Sequence, residues 1–170
     1  IKPRRGVILI TEKVAPIIHG SILCSQYIAA KHHTLEKNVP SFAVGLSLGQ
    51  TESGNILIGG SREFVGFKKT VSTEVFSEIA RHACRIVPVL RTLRIIRTMV
   101  GFRPFTGDGL PIIDESPNVK GFIIAAGHEG DGIALAPITG KLVADLVKGE
   151  KNNLLEALKL ERFMLGNERV

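Results

Sequence analysis

The chain has no tryptophan and a single tyrosine, Tyr27, and aromatic residues make up only 5% of its 170 positions. A base-stacking surface of aromatics interleaved with basic residues is therefore missing, which argues against nucleic-acid binding despite a formal net charge of +6. The basic residues are scattered, apart from Lys2-Pro3-Arg4-Arg5 and the series Arg91, Arg94, Arg97 and Arg103. Their excess points to anionic partners only in a general way. Cysteine is scarce too: Cys24 and Cys84 lie far apart with no CxxC spacing. That argues against a disulfide scaffold or a zinc site and fits a reducing cytoplasm. No apolar run approaches the ~20 residues of a membrane helix, and no secretory signal is recognisable. The dinucleotide fingerprint GxGxxG is absent as well. Gly107-Asp108-Gly109 continues to Ile112 and Gly130-Asp131-Gly132 to Leu135, so both fail at the third glycine. Finally, the chain opens on Ile1 rather than methionine and enters a strand almost at once, which reads as the back part of a longer protein.

What is present suffices for a core: 44% hydrophobic and 22% charged residues fit one globular domain, or one and a fragment of another. Gly6–Thr11 reads as a strand, with Arg5 before it solvated, and Ile22–Ala30 as a second strand containing Tyr27. The adjacent His32 and His33 read as surface residues. Phe42–Gln50 and Asn55–Ser61 flank the polar turn Thr51-Glu52-Ser53-Gly54-Asn55 and predict a hairpin. Gly59-Gly60 suggests a bulge or a close backbone approach, and Arg62-Glu63 a surface ion pair. Thr73–Val87 is helical, capped by Ser72 or Thr73, with Val75, Phe76, Ile79, Ala83, Ile86 and Val87 as its apolar face and Pro88 as its end. His82, at the edge of that face, reads as structural. A strand over Leu93–Phe102 follows. This succession of hairpin strands with a packed helix predicts an α+β layer, an antiparallel sheet covered by a helix.

Two stretches carry chemistry. Gly121–Ala126 is a short apolar run of strand character, followed by Gly127-His128-Glu129-Gly130-Asp131-Gly132 and then a helix with Leu135, Ile138, Leu142, Val143 and Leu146 on one face. Pro137 is expected near that helix's first turn. Such a unit either aims backbone amides at negative charge or is a tight turn needing glycine for geometry alone; the pattern leaves both open. The unit has the form of one piece of a doubly wound α/β domain whose parallel neighbours are missing. The second stretch is Gly101-Phe102-Arg103-Pro104-Phe105-Thr106-Gly107-Asp108-Gly109. Arg103, held between Gly and Pro on a strand, suits a bidentate clamp on a carboxylate, or else a structural ion pair. Beyond Gly149, residues Leu154, Leu155, Leu158, Leu160 and Phe163 form a helical tail that docks on the body or on a partner.

Together these stretches resemble the FAD-dependent D-amino-acid oxidase superfamily. GFRPFTGDGLPII followed by GFIIAAGHEGDGIALAPITGKLVADLVKG is similar to its C-terminal motifs, as found in glycine and sarcosine oxidases. PRRG…ILITE, YIAAKH, GQTESGNILIGGSREFVGF and GHEGDGIALAPITG are most similar to the FAD subunits of opine oxidase, proline and hydroxyproline dehydrogenases and hydrogen cyanide synthase. The resemblance covers Pro3 to about Gly149. It implies a substrate-binding domain over residues 1–110, a C-terminal piece of an incomplete α/β FAD-binding domain over 111–150, and a helical tail over 151–170.

It further implies a flavin contact from Gly127, His128, Glu129, Gly130, Asp131, Gly132 and Ile133, whose amides face the N1–C2=O edge. Arg103 would hold the substrate carboxylate, and no side chain need act as a strong base. An amino acid or secondary amine would be oxidised at its C–N bond by hydride transfer to the flavin, giving an imine that water hydrolyses. The departures are Gly107 and Asp114, which imply a differently shaped loop after Arg103, and Ser47 where relatives carry a carboxylate-binding tyrosine. FAD is expected in the full-length protein but not on this chain, which lacks the front FAD domain and is expected to be inactive and to self-associate or take a partner subunit. The alternative is a non-catalytic assembly module of a multicomponent dehydrogenase.

Overall fold

The computed structural model describes residues 1–31 and 42–163; His32 and His33 lie outside them. The chain divides between Phe102 and Arg103 into two compact units, Pro3–Phe102 and the residues from Arg103 onward with Ile1–Lys2.

The first unit is built on a five-stranded sheet. Strands β1 (Lys2–Lys13), β2 (Ile22–Leu23), β3 (Phe42–Gln50), β4 (Asn55–Glu63) and β5 (Ile95–Phe105) lie in the order β2-β3-β4-β1-β5. The β2–β3, β3–β4 and β4–β1 pairs are antiparallel. In β1 the alternation buries Val7, Leu9 and Thr11, and Leu9 faces Ile58 of β4 across the ladder. Helix α2 (Thr73–Ile86) covers this face with Val75, Ile79 and Ala83, spaced four apart on one helical stripe. Ser72 caps it, accepting the Val75 amide at 3.3 Å, and Pro88 opens a 3₁₀ turn over Pro88–Thr92. The predicted hairpin is present: the Thr51 and Gly54 amides close the turn on the Asn55 and Thr51 carbonyls, each at 2.9 Å. The Gly59-Gly60 pair marks a close approach as well, since a Cβ on Gly60 would stand 2.6 Å from the Val7 carbonyl oxygen.

Three expectations are corrected in this unit. The strand over Ile22–Ala30 is only two residues long and gives way to helix α1 (Ser25–Lys31). The reason is tertiary: a Cβ on Gly45 would lie 2.3 Å from the Cα of Tyr27, so β3 takes a helical backbone directly onto its glycine. Strand propensity at Ile22 and Tyr27 yields to that contact. Arg5 is not solvated but buried, and its guanidinium pairs with Glu63 and donates to the Lys68 and Thr70 carbonyls. Glu63 is thereby taken from Arg62. Arg62, itself buried, stacks 4.4 Å over the Tyr27 ring and donates to the Tyr27 carbonyl. Burial of an arginine is tolerable only with such partners, which lie far away in sequence. His82 is buried with Nε2 3.7 Å from Cys24 Sγ, and both cysteines are free thiols.

The second unit begins at the end of β5. Strands β6 (Ile112–Glu115) and β7 (Ile123–Ala126) form an antiparallel pair, Ile112 opposite Ala126 and Glu115 opposite Ile123. Helix α3 (Gly132–Lys148) ends at Gly149, whose left-handed backbone returns its amide to the Asp145 and Leu146 carbonyls. Helix α4 (Asn153–Leu158), capped by Asn152, and a 3₁₀ turn (Leu160–Phe163) complete it. Ile113, Leu142 and Leu155 form the small core, flanked by Val143, Leu146 and Leu158. The tail therefore docks on this unit. Pro137 does not lie in the first turn of α3. The helix already begins at Gly132, so proline falls one turn further in and the Ile133 carbonyl lacks its helical donor. Among the described residues no helix is long and apolar enough to cross a membrane, and no cluster of three potential metal ligands occurs.

Candidate cofactor and substrate site

The second unit assembles the site around the turn from β7 into α3. Gly127 is left-handed (φ 89°), and a Cβ there would stand 2.5 Å from Thr106 Cγ2. Both geometry and space thus demand glycine. Thr106 is buried and fixes the preceding loop by donating from Oγ1 to the Leu110 carbonyl at 2.7 Å. Glu129 is the one non-glycine residue with positive φ (50°) among those described. Its amide donates to the Pro104 carbonyl at 3.2 Å, which ties the glycine turn to the end of β5. The Asp131 amide closes the turn on the His128 carbonyl at 3.0 Å, and His128 Nε2 lies 2.9 Å from Thr139 Oγ1 along α3.

Arg103 lies across this turn. A Cβ placed on Gly130 would meet Arg103 Nε at 3.7 Å and Cδ at 3.8 Å, so the arginine stem runs over the bare face of that glycine. Asp131 occupies the N-cap of α3 without a side-chain capping bond. The helix start therefore offers backbone amides not claimed by its cap residue, together with the positive end of the helix dipole. Ile133, in the first turn, is 95% exposed. The structure thus brings together Arg103, Gly130 and the start of α3, while His128 turns back along the helix. Ser47 sits in the first unit, paired with Leu23 and Gly59.

The sequence reading missed Thr106, the Pro104 carbonyl and a cluster from the tail. Arg162 Nε and Nη2 pair with Asp108, Nη2 also donates to the Leu110 and Pro111 carbonyls at 2.8 and 3.0 Å, and the Leu160 amide donates to Asp114 Oδ2 at 2.8 Å. The two departures, Gly107 and Asp114, fall where this tail attaches. Gly107 leaves ordinary contact distance to the Phe163 ring, 3.7 Å from where a Cβ would stand. No local pattern links Arg162 to Asp108 across 54 residues.

A left-handed glycine turn that leads a strand into a helix start beside an arginine is a strand–turn–helix unit of the mixed α/β class. The comparisons narrow this class. Residues 1–146 match the profile of the FAD-dependent oxidoreductases, and the chain belongs to that family. It is 31% identical over 150 residues to the hydrogen cyanide synthase subunit HcnC of Pseudomonas protegens, covering 88% of this chain and 31% of that protein. To the glycine oxidase of Geobacillus kaustophilus it is 40% identical over 98 residues, 57% of this chain and 26% of the enzyme. Among solved structures, L-proline dehydrogenase from P. horikoshii superposes with a TM-score of 0.78 at 27% identity, covering 98% of this chain and 41% of that one. The chain thus spans about a third of the length of the curated relatives it matches. The residues present fit the family's cofactor at one point, the helix start without a side-chain capping bond, whose amides suit one edge of a flavin ring.

Proposed function

We propose that the chain supplies the flavin-edge loop and the substrate-carboxylate anchor of an oxidoreductase acting on the C–N bond of an amino acid or secondary amine. The observation that carries this reading is the Arg103 side chain lying over Gly130 at the start of α3. When bound, FAD supplies the hydride acceptor. The chain's own part is orientation and electrostatics. Arg103 clamps the substrate carboxylate through parallel charge-assisted bonds, which holds the carbon bearing the amine beside the ring. The amides at the start of α3 would hold one edge of the flavin ring, and with the helix dipole they would favour negative charge on it. Gly127 to Ile133 form the contact loop, with Gly130 leaving room for the arginine. No side chain in this set acts as a strong base.

In this reading residues 1–110 hold most of the substrate domain, 111–150 the last strand and helix of the FAD domain, and 151–170 the tail. The rest of the FAD domain, a partner subunit or a second copy would cover exposed apolar residues of α3 such as Ile133 and Ile138. A cytoplasmic location accords with the free thiols of Cys24 and Cys84. The second reading is a non-catalytic assembly module, favoured by a relative that is itself named a subunit.

The tests are direct. By itself the chain binds FAD weakly or not at all, because a helix dipole worth ~0.3–1 kcal/mol cannot offset an immobilisation cost of ~4–15 kcal/mol. Stoichiometric yellow flavin retained through gel filtration overturns that statement. Joined to a front FAD domain, Arg103→Met raises KM for carboxylate-bearing amines about 10- to 100-fold, as loss of a charge-assisted bond requires, and leaves amines without a carboxylate unaffected. Equal losses for both substrate classes would remove Arg103 from the anchor role. No flavin binding and no turnover even in the joined protein would favour the assembly module.

A further inference from the structure

We propose that Arg162 is a positioning residue for the Arg103–Gly127 site, acting from a strap that lies beyond the family-matched segment; its functional meaning rests on the reading above. The family match ends at residue 146, whereas the strap is the 3₁₀ turn Leu160–Phe163. Its attachment is more than a surface ion pair. The Arg162 side chain is only 17% exposed, and its planar fork engages Asp108 and three backbone carbonyls, those of Lys159, Leu110 and Pro111. Carbonyl contacts are neutral at the acceptor and salt screens them little, unlike an exposed charge pair. The Leu160 amide adds a second point of attachment at Asp114, the first residue after the buried Ile113 of β6. The strap thereby holds the loop between β5 and β6 at Asp108, Leu110 and Pro111, and the strand that follows it at Asp114.

What makes the strap a positioning device is where the held loop leads. The Leu110 carbonyl that accepts from Arg162 also accepts from Thr106 Oγ1. Thr106 is the side chain on which Gly127 rests, and the adjoining Pro104 carbonyl receives the Glu129 amide. Arg162, Leu110, Thr106 and Gly127 therefore form one continuous chain of contacts from the tail to the glycine turn. Arg103 stands on the same strand end, one residue before Pro104. A loop released at Asp108 and Leu110 frees Thr106, and with it the support under Gly127 and Glu129. Lysine cannot take this place, because a single ammonium cannot reach a carboxylate and three carbonyls in one plane.

Hydrogen exchange on the 170-residue chain tests the proposal without flavin or substrate. Arg162→Met keeps the stem and removes the fork. It is expected to speed exchange about tenfold at Gly109 and Leu110, and also at Glu129 and Asp131, as loss of a charge-assisted bond does to a local opening equilibrium. Amides of Ile79 and Ala83 in α2 serve as controls and stay unchanged. Thr106→Val, which keeps the shape and removes the Leu110 bond, is expected to speed Glu129 and Asp131 alike. Acceleration confined to Gly109 and Leu110, or absent altogether, overturns the proposal. So does Arg162→Lys with wild-type protection at Glu129, since charge alone would then suffice. Should Arg162→Met fail to fold, Thr106→Val decides on the same two amides. A failed assignment of Arg103 or of the flavin edge would show in substrate and flavin titrations and leave these exchange rates untouched.

Discussion

The two units of this chain are stabilised by different means. In Pro3–Phe102, ten buried apolar residues from sheet and helix close on one another, among them Val7, Leu9, Ile56, Val75 and Ile79. In the unit from Arg103 onward, three such residues, Ile113, Leu142 and Leu155, form the core among the described residues. Polar ties do the rest there. Asp145 accepts from Lys141 and from Asn152 Nδ2, Asp114 accepts from Leu160, and Asp108 pairs with Arg162. Apolar burial is non-directional and tolerates substitution of similar volume, whereas a hydrogen-bonded tie holds one geometry or none. The proposed site sits in the unit held by ties. That is the physically apt place, because a site needs side chains and amides fixed in direction more than it needs bulk stability.

Breaking the buried Arg5–Glu63 pair of the first unit should give the greatest loss. Arg5→Met leaves the Glu63 carboxylate buried without its cation, a change that typically costs ~3–5 kcal/mol. Urea unfolding measures it, and a loss below about 1 kcal/mol would mean that Ser61, which donates to Glu63 at 2.7 Å, satisfies the carboxylate on its own. The same chain carrying Glu63→Gln with Arg5→Met should recover part of the loss, because no charge is then left buried.

A smaller but more local effect is expected at Gly127→Ala. Its Cβ would overlap Thr106 Cγ2, and alanine is strained at φ 89°. Together these cost ~1–3 kcal/mol. The loss should appear as faster exchange from Thr106 to Asp131, with the α2 amides unaffected. Uniform destabilisation of both units would erase the contrast drawn above.

The smallest effect separates the units by pH. Burial above all, aided by the neighbouring Arg85 and opposed by Glu78, holds the His82 imidazole below its usual value. Unfolding then takes up a proton as pH falls below ~6.5, so the first unit loses stability progressively from there downward. Carboxylates govern the second unit. Asn152 first and Lys141 next hold Asp145 below the usual carboxylate range. Burial pushes Asp108 up, but the Arg162 and Leu110 hydrogen bonds prevail and hold it low. Such groups contribute their full stability above the unfolded value of ~3.9 and lose it as pH falls through the lower folded values. Protection against exchange, corrected for the intrinsic pH dependence of amide exchange, should therefore differ between pH 5 and pH 7 in α2 and not in α3. His82→Gln should remove the difference.

Much of this was legible along the chain, and the reason is range. Helix α2 with its Ser72 cap, the β3–β4 hairpin with its Thr51–Asn55 turn, the Gly127–Gly132 turn and the strand bearing Arg103 all depend on neighbours within about ten residues. Periodicity, capping and turn chemistry act over that distance, so sequence alone determines them. It also determined the family, since ordered motifs record a fold that no single element specifies. What tertiary structure decided are the pairings across longer separations. Tyr27 became helical because Gly45 of β3 accepts its backbone, Arg5 was buried because Glu63 faces it across the β1–β4 ladder, and Pro137 lies inside α3 because the turn before it ends early. Arg162 closes on Asp108 only once α3, α4 and the final turn have folded back. No spacing rule encodes such contacts: the energy of a buried charge or a backbone touching a glycine depends on which distant group arrives, and only the folded chain brings it there.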